Sequence, residues 1–210
     1  MTSASTAKAT RVTKRRAETR GRLIDAAIDV FAEKGYGQVT IRDVCTAAGY
    51  TRGAFYSQFE SLEELLFVIY HQWTTQIADQ VRGAVEAGDP VNDLPAIIAR
   101  IVETLLLERE WLLIKVDLLA VAARNPALAQ RWSVHRGKLR MTIEELLAAR
   151  GAGPHEPIGS ASDTAQAIIA LYDGLATQLL LENDEGAARA RLIQMLNMVL
   201  MPTRTAPEIH

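Results

Sequence analysis

A single cysteine, Cys45, stands in the 210 residues, so no intrachain disulfide can form, and the sequence suits a reducing cytosol. Cys45 falls on an apolar helix face and reads as a small buried hydrophobe rather than a redox switch. Histidine is nearly as scarce. His71, His135, His155 and His210 are the only four, and none is paired at the helical spacing that grips a metal. The signatures HExxH, CxxC, GxSxG and the phosphate loop are missing too, so an enzyme reading has nothing to rest on, and no metal or cofactor is expected. Glu63-Glu64 and Glu144-Glu145 read as solvated helix faces. No apolar run approaches the roughly eighteen residues of a membrane span, and the N-terminus shows no apolar signal core. Its Ser, Thr and Arg content imitates a transit peptide, but the same composition makes a nucleic-acid-contacting arm.

What is present is ordinary in bulk and uneven in distribution. Apolar residues make up 49% and charged residues 23%, as in globular proteins with a substantial core. The net charge of −2 conceals a division: residues 1–60 hold ten Lys and Arg against six Asp and Glu, the remainder thirteen against nineteen. A basic N-terminal part on an acidic remainder fits nucleic-acid binding at one end only. A nonspecific DNA-coating protein would be far more basic throughout.

The basic part contains the most informative stretch, Thr40 to Phe59. Thr40 with Asp43 forms a capping box in which Asp replaces the usual Glu. Ile41, Val44, Cys45 and Ala48 follow on one helical face. Gly49 can leave a helix with positive φ and opens a turn. Thr51 caps again, and Phe55 and Phe59, four apart, mark the buried side of a second short helix. Arg52, Gly53, Tyr56, Ser57 and Gln58 then face outward. Arg forks onto guanine, Gln onto adenine, and Tyr and Ser reach phosphates, so the second helix reads as the major-groove reader of a helix-turn-helix.

Along the chain, residues 1–16 are small, polar and basic and are expected to be a disordered arm, either a solubilising tail or one whose Lys8, Arg11, Lys14, Arg15 and Arg16 track phosphates or enter a minor groove. A first helix is expected over 17–34, ended by Gly35 and clamping the reader through Leu23, Ile24, Ala27, Ile28, Val30 and Phe31. Ser61 to Glu64 is a capping box opening a fourth helix to about Gly88, closed by Asp89-Pro90 and linking the DNA-binding domain (17–60) to the larger second domain. Further helices are expected over 93–108, 110–124 and from Asn125-Pro126 to about Arg150. Residues 151–161 form a loop. Helices at about 163–182 and 186–201 are apolar round most of their circumference. A surface helix needs a wet face, so this pair is either a central core pair or, the reading expected here, packs a second face on another copy of the chain. Pro202 ends the last helix, leaving a tail, 203–210. The fold is all-α with about nine helices: the helix-turn-helix domain, then a ligand-binding and dimerisation domain over 61–202.

The run from Arg20 to Leu66 resembles the N-terminal DNA-binding domain of the TetR (tetracycline repressor) family of bacterial transcription regulators. It matches the family pattern at Ala27, Phe31, Gly35, Thr40, Ile41, Ala48, Gly49, Gly53, Tyr56, Phe59, Ser61, Glu63 and Leu65. Gln58 stands where the family usually has His, and Leu62 where it has Lys, two positions that commonly touch phosphates; Leu62 cannot donate. The resemblance implies a cytoplasmic homodimer on a palindromic operator, its two C-terminal helices in a four-helix bundle with those of the second subunit. It also implies a small-molecule effector bound among the middle helices that releases the DNA.

The expected DNA-facing residues are Thr40, Tyr50, Thr51, Arg52, Gly53, Ala54, Tyr56, Ser57 and Gln58. Candidates for lining an effector site are aromatic or polar groups on otherwise apolar helices: Trp73, Trp111, Lys115, Asp117, Trp132, His135, Tyr172 and Gln178. Each of these can equally be a core aromatic or a satisfied internal pair. The alternative to a DNA-binding regulator is a helical protein-interaction adaptor whose helix-turn-helix no longer reads DNA.

Overall fold

Local signals set the helix ends in the computed structural model, which describes residues 3–87, 94–105, 107–149 and 159–200, the side chains of 3–13 excepted. Among the described residues there are nine α-helices, one 3-10 turn and no strand. They are α1 (Ser3–Lys34), the 3-10 turn (Tyr36–Gln38), α2 (Ile41–Ala48), α3 (Arg52–Tyr56), α4 (Leu62–Glu86), α5 (Leu94–Thr104), α6 (Arg109–Ala122), α7 (Pro126–Ala149), α8 (Ala161–Glu182) and α9 (Glu185–Leu200). Residues 151–158 of the expected loop, the tail 203–210, the closing Asp89-Pro90 and the side chains of Lys8 and Arg11 lie outside the described residues.

Three expectations change. The first helix begins at Ser3, not Ala17, running through the stretch read as a disordered arm. Residues 3–20 contain no Gly or Pro, and their Ala, Lys and Arg are strong helix formers, so a polar, basic composition is compatible with a helix there. The division of the chain also differs from a boundary at residue 60. One unit comprises Met1–Trp73 with Glu108–Val121, the other Thr74–Leu107 with Ala122–His210, so the border falls inside α4 and α6 joins the N-terminal unit. Third, α8 is long and apolar enough to cross a membrane by length and composition alone. Hydropathy averaged over a window tolerates the scattered polar residues that break an uninterrupted run.

The core of the first unit includes Leu23, Ala27 and Phe31 of α1, Val44 and Cys45 of α2, Phe55 and Phe59 of the reader, and Leu65, Leu66 and Ile69 of α4, all buried. On α6 Trp111, Leu112, Ile114 and Leu118 are buried as well. Trp111 stacks on Tyr70 at 5.7 Å between ring centroids and meets Trp73 edge-on at 4.7 Å.

The second unit is a bundle in which α8 packs against both α7 and α9, and α9 against α5. Ser160 and Asp163 form a capping box at the start of α8, and Asn183 ends it in the left-handed conformation. Asn125 caps α7 as expected, its side-chain oxygen accepting from the N–H groups of Ala127 and Leu128 at 3.1 and 3.3 Å. Polar fasteners cross the bundle. Arg136 pairs with Asp173 at 2.5 Å, and Arg189 donates to the carbonyls of Val102 and Leu105 at the end of α5. The apolar residues of α8 divide into faces. Ala165, Ile169, Leu175, Ala176 and Leu179 are buried on one side, while Ala170, Gly174, Gln178 and Leu181 lie exposed on the opposite side.

Candidate nucleic-acid interface

The reader is built by caps at both of its joints. Thr40 and Asp43 make the expected reciprocal box: the Thr40 hydroxyl oxygen accepts from the Asp43 N–H at 3.3 Å, and the Asp43 carboxylate accepts from the Thr40 N–H at 2.8 Å. Hydrogen bonding from Thr40, then from Lys34 (2.9 Å), holds the Asp43 carboxyl well below the usual carboxylate range. Gly49 takes φ 70°, ψ 31°, the left-handed conformation that favours glycine. The Tyr50 N–H then returns to the Cys45 carbonyl at 2.8 Å, turning the chain toward α3. Thr51 caps α3 by accepting from the Ala54 N–H at 3.2 Å.

Phe55 and Phe59 are buried, as their spacing implied, with rings 5.6 Å apart. Their burial fixes the roll of α3 and turns Arg52, Gly53, Tyr56 and Ser57 to solvent. Tyr56 is 51% exposed, its ring edge-on to Phe55. Three expected donors are engaged within the head. The Thr40 hydroxyl donates to Asp43 at 2.6 Å, and the Gln58 side-chain amide donates to the Ser57 hydroxyl at 3.1 Å, which itself donates to the Ala54 carbonyl at 2.7 Å. Thr40 therefore spends both its donors on shaping α2.

Beside α3 runs an open groove of about 810 Å³. Tyr50, Ala54, Ser57 and Gln58 line one side, and Arg15, Arg16, Thr19 and Arg22 of α1 the other, with Glu18 as its one carboxylate. Thr19 and Arg22 are additions to the expected set. Their signal is the helical spacing 15, 19, 22, which becomes visible only once α1 is known to extend back past Ala17.

The 3-10 turn before α2 is tied from two directions. Its Tyr36 N–H donates to the Asp117 carboxylate of α6 at 2.7 Å. The Tyr36 phenol bonds to Glu63 at the start of α4, and burial, then that carboxylate, pushes the phenol far above its ordinary pKa. The Glu63 carboxyl is lowered, chiefly by its own backbone N–H, with Ser61 and Tyr36 adding to it. Asp117 is thus a structural acceptor for a backbone donor rather than a free pocket group. Cys45 is buried, and burial raises its thiol pKa against the opposing charge of Arg52, the setting of an inert thiol.

The effector candidates are divided between the two units. Trp73, Trp111, Lys115 and Asp117 belong to the first unit, Trp132, His135, Tyr172 and Gln178 to the second. Trp111 and Trp132 are buried, while Gln178 lies on the exposed face of α8 because residues 170, 174, 178 and 181 share one side of the helix. Among the described residues no group of three or more His, Cys, Asp or Glu is placed to hold a metal ion.

A short second helix, capped at its start, rolled by two buried phenylalanines and flanked by arginines, defines a helix-turn-helix DNA-binding head. Residues 23–73 match the profile of the bacterial regulatory proteins of the tetR family, and residues 90–201 that of the BetI-type transcriptional repressor C-terminal domain. The chain is 30% identical to the HTH-type transcriptional regulator CymR of Pseudomonas putida over 176 residues, 82% of this chain and 84% of that one. Among solved structures it is similar to the multidrug binding protein EbrR complexed with imidazole, at TM-score 0.61 and 30% identity over 90% of this chain and 93% of that one. The fold is also that of the fatty acid degradation regulator FadR from Bacillus halodurans, at TM-score 0.72 and 20% identity over 90% and 97% of the two chains. The protein belongs to the TetR family of bacterial transcriptional regulators. It is a DNA-binding regulator of transcription with a repressor-type C-terminal domain.

Proposed function

We propose that the protein represses transcription by binding a palindromic operator as a homodimer, and that a small molecule releases it. The observation that carries the reading is the outward face of α3: Arg52, Gly53 and Tyr56 exposed on a helix whose roll is fixed by Phe55 and Phe59. Arg52 is assigned to a base edge, with Thr51, Gly53 and Ala54 allowing close approach to the groove wall. Tyr56 and Tyr50 are assigned to phosphates together with Arg15 and Arg22 of the groove, while the Ser57 hydroxyl proton is held by the Ala54 carbonyl. Gln58 reads or anchors only through the amide proton not given to Ser57.

Dimerisation is supported by the exposed face of α8, where Leu181 is 85% exposed, and by Met198 of α9, 75% exposed. Apolar surface left uncovered along two adjacent helices is what an isologous interface buries. Two readers held about 34–36 Å apart then meet successive major grooves of one operator. An effector is supported by the imidazole complex of the similar EbrR. It acts only through its differential affinity for the DNA-binding and released arrangements.

The deciding experiment is selection of bound sequences from a random duplex pool at near-physiological salt, then effector screening on the recovered site by release. Enrichment of one two-fold-related sequence is expected. Recovery of no preferred sequence by a folded dimer would replace this reading with that of a protein-interaction adaptor, and Leu62, which cannot donate to phosphate, would be the first position to exchange.

A further inference from the structure

A five-residue helix makes too few internal hydrogen bonds to hold its own place, so its surroundings must fix it. The start of α3 is held by Thr51 and its last turn by the buried Phe55, with Phe59 buried in the segment that follows it. The carbonyls just past its last turn are taken by α1. The Arg20 guanidinium donates to the Gln58 carbonyl at 2.9 Å and lies 4.4 Å over the Phe59 ring. One turn earlier on α1, Arg16 donates to the Ser57 carbonyl at 3.3 Å. Arg20 is half-buried, whereas Arg15 and Arg22 on the groove wall are exposed. Among the described arginine side chains of α1, Arg20 is therefore turned into the head, Arg15 and Arg22 are open to a ligand, and Arg16, exposed on the groove wall, does both.

We propose that Arg20, seconded by Arg16, is a positioning residue for operator reading: it sets the tilt of the C-terminal end of α3, and so the placement of Tyr56, Ser57 and Gln58, without itself binding phosphate. A guanidinium committed to a carbonyl and an aromatic face adds little to counterion release, which is the part of affinity common to all sequences. It acts on the part that depends on geometry at base edges. The proposal rests on α3 being the reader.

The test compares Arg20→Leu with Arg22→Leu, each in the full chain. Binding is measured by fluorescence anisotropy across a salt series, on the selected operator and on a scrambled duplex of equal length. Arg20→Leu is expected to lose on the order of tenfold or more in operator affinity, with scrambled-duplex affinity and salt slope unchanged. Arg22→Leu is expected to weaken both duplexes alike and to lower the salt slope by about 0.9 for each phosphate it no longer neutralises. Equal weakening on both duplexes with a lower slope for Arg20→Leu would make Arg20 a phosphate ligand, and wild-type operator affinity would remove its role altogether; either overturns the proposal. Should Arg20→Leu unfold the head, Arg20→Lys decides, since it keeps the charge and loses the planar fork. A reduced operator affinity at constant slope supports the proposal there, and wild-type behaviour overturns it. Amide exchange supplies an arm independent of any operator: Ser57 to Phe59 should exchange faster in Arg20→Leu while α2 stays protected. If the wild type selects no sequence, the assignment of α3 as reader fails, and this exchange measurement still decides whether Arg20 holds it.

Discussion

Arg52 and Asp43 illustrate two ways in which one side chain serves this head, by facing solvent, where the proposed reading of DNA takes place, and by facing the backbone. Arg52 is exposed at the first position of α3. Arg52→Ala is expected to weaken operator binding by about 1–3 kcal/mol, the worth of one forked pairing with a base, while the oligomeric state by sedimentation stays that of the wild type. An unchanged affinity would move the reading role to another residue. Asp43 works inward, its folded-state pKa lowered by the hydrogen bonds from Thr40 and Lys34. A depressed carboxyl contributes stability that is complete above its unfolded pKa of about 3.9 and is lost as the pH falls toward the lower folded value. Thermal melts of the wild type should therefore show a decline below about pH 4 that is shallower in Asp43→Asn, which starts less stable at neutral pH. Parallel pH profiles for the two proteins would show that the cap carries no such linkage.

At the scale of elements, the caps explain why so much of this fold was legible. Thr40, Gly49, Thr51 and Asn125 each act on backbone groups within a few residues, and helix boundaries at α2, α3 and α7 fall where those residues place them; the Ser160 cap of α8 went unread inside the expected loop. Connections across the sequence were not legible. Asp117 lies 81 residues from the Tyr36 N–H it accepts, and no local pattern distinguishes it from a pocket residue. That bond fastens α6 to the turn that feeds α2, so a helix outside the motif belongs to the reading head. Asp117→Ala is expected to destabilise the first unit by about 1–3 kcal/mol, the cost of a donor removed from water and left without its acceptor. Urea unfolding monitored by tryptophan fluorescence checks this, because Trp111 lies on the same helix and Trp73 packs against it. A midpoint equal to the wild type would reduce the bond to an incidental one.

For the whole molecule, the proposed dimer places the two readers, and the exposed face of α8 is where it is most easily tested. Leu181→Glu sets a charge on the most exposed large apolar residue among the described residues, where burial against a second copy would desolvate it. Sedimentation is expected to shift from dimer to monomer, with loss of cooperative operator binding and an unchanged helical circular dichroism spectrum. A variant that remains dimeric would move the interface off this face.

The sequence by itself determined most of the helices, the helix-turn-helix and the family, because capping, turn glycines and apolar periodicity act over three or four residues and are written in order along the chain. Composition misled at the N-terminus, where basic residues that read as a disordered arm continue α1. Only the tertiary structure decided which charges face inward. It gave Asp117 to a backbone amide, Arg20 and Arg16 to the end of α3, and Gln178 to an exposed helix face. The physical reason is distance along the chain: a hydrogen bond forms between neighbours in space, and a partner 38 or 81 residues away leaves no periodic trace in sequence.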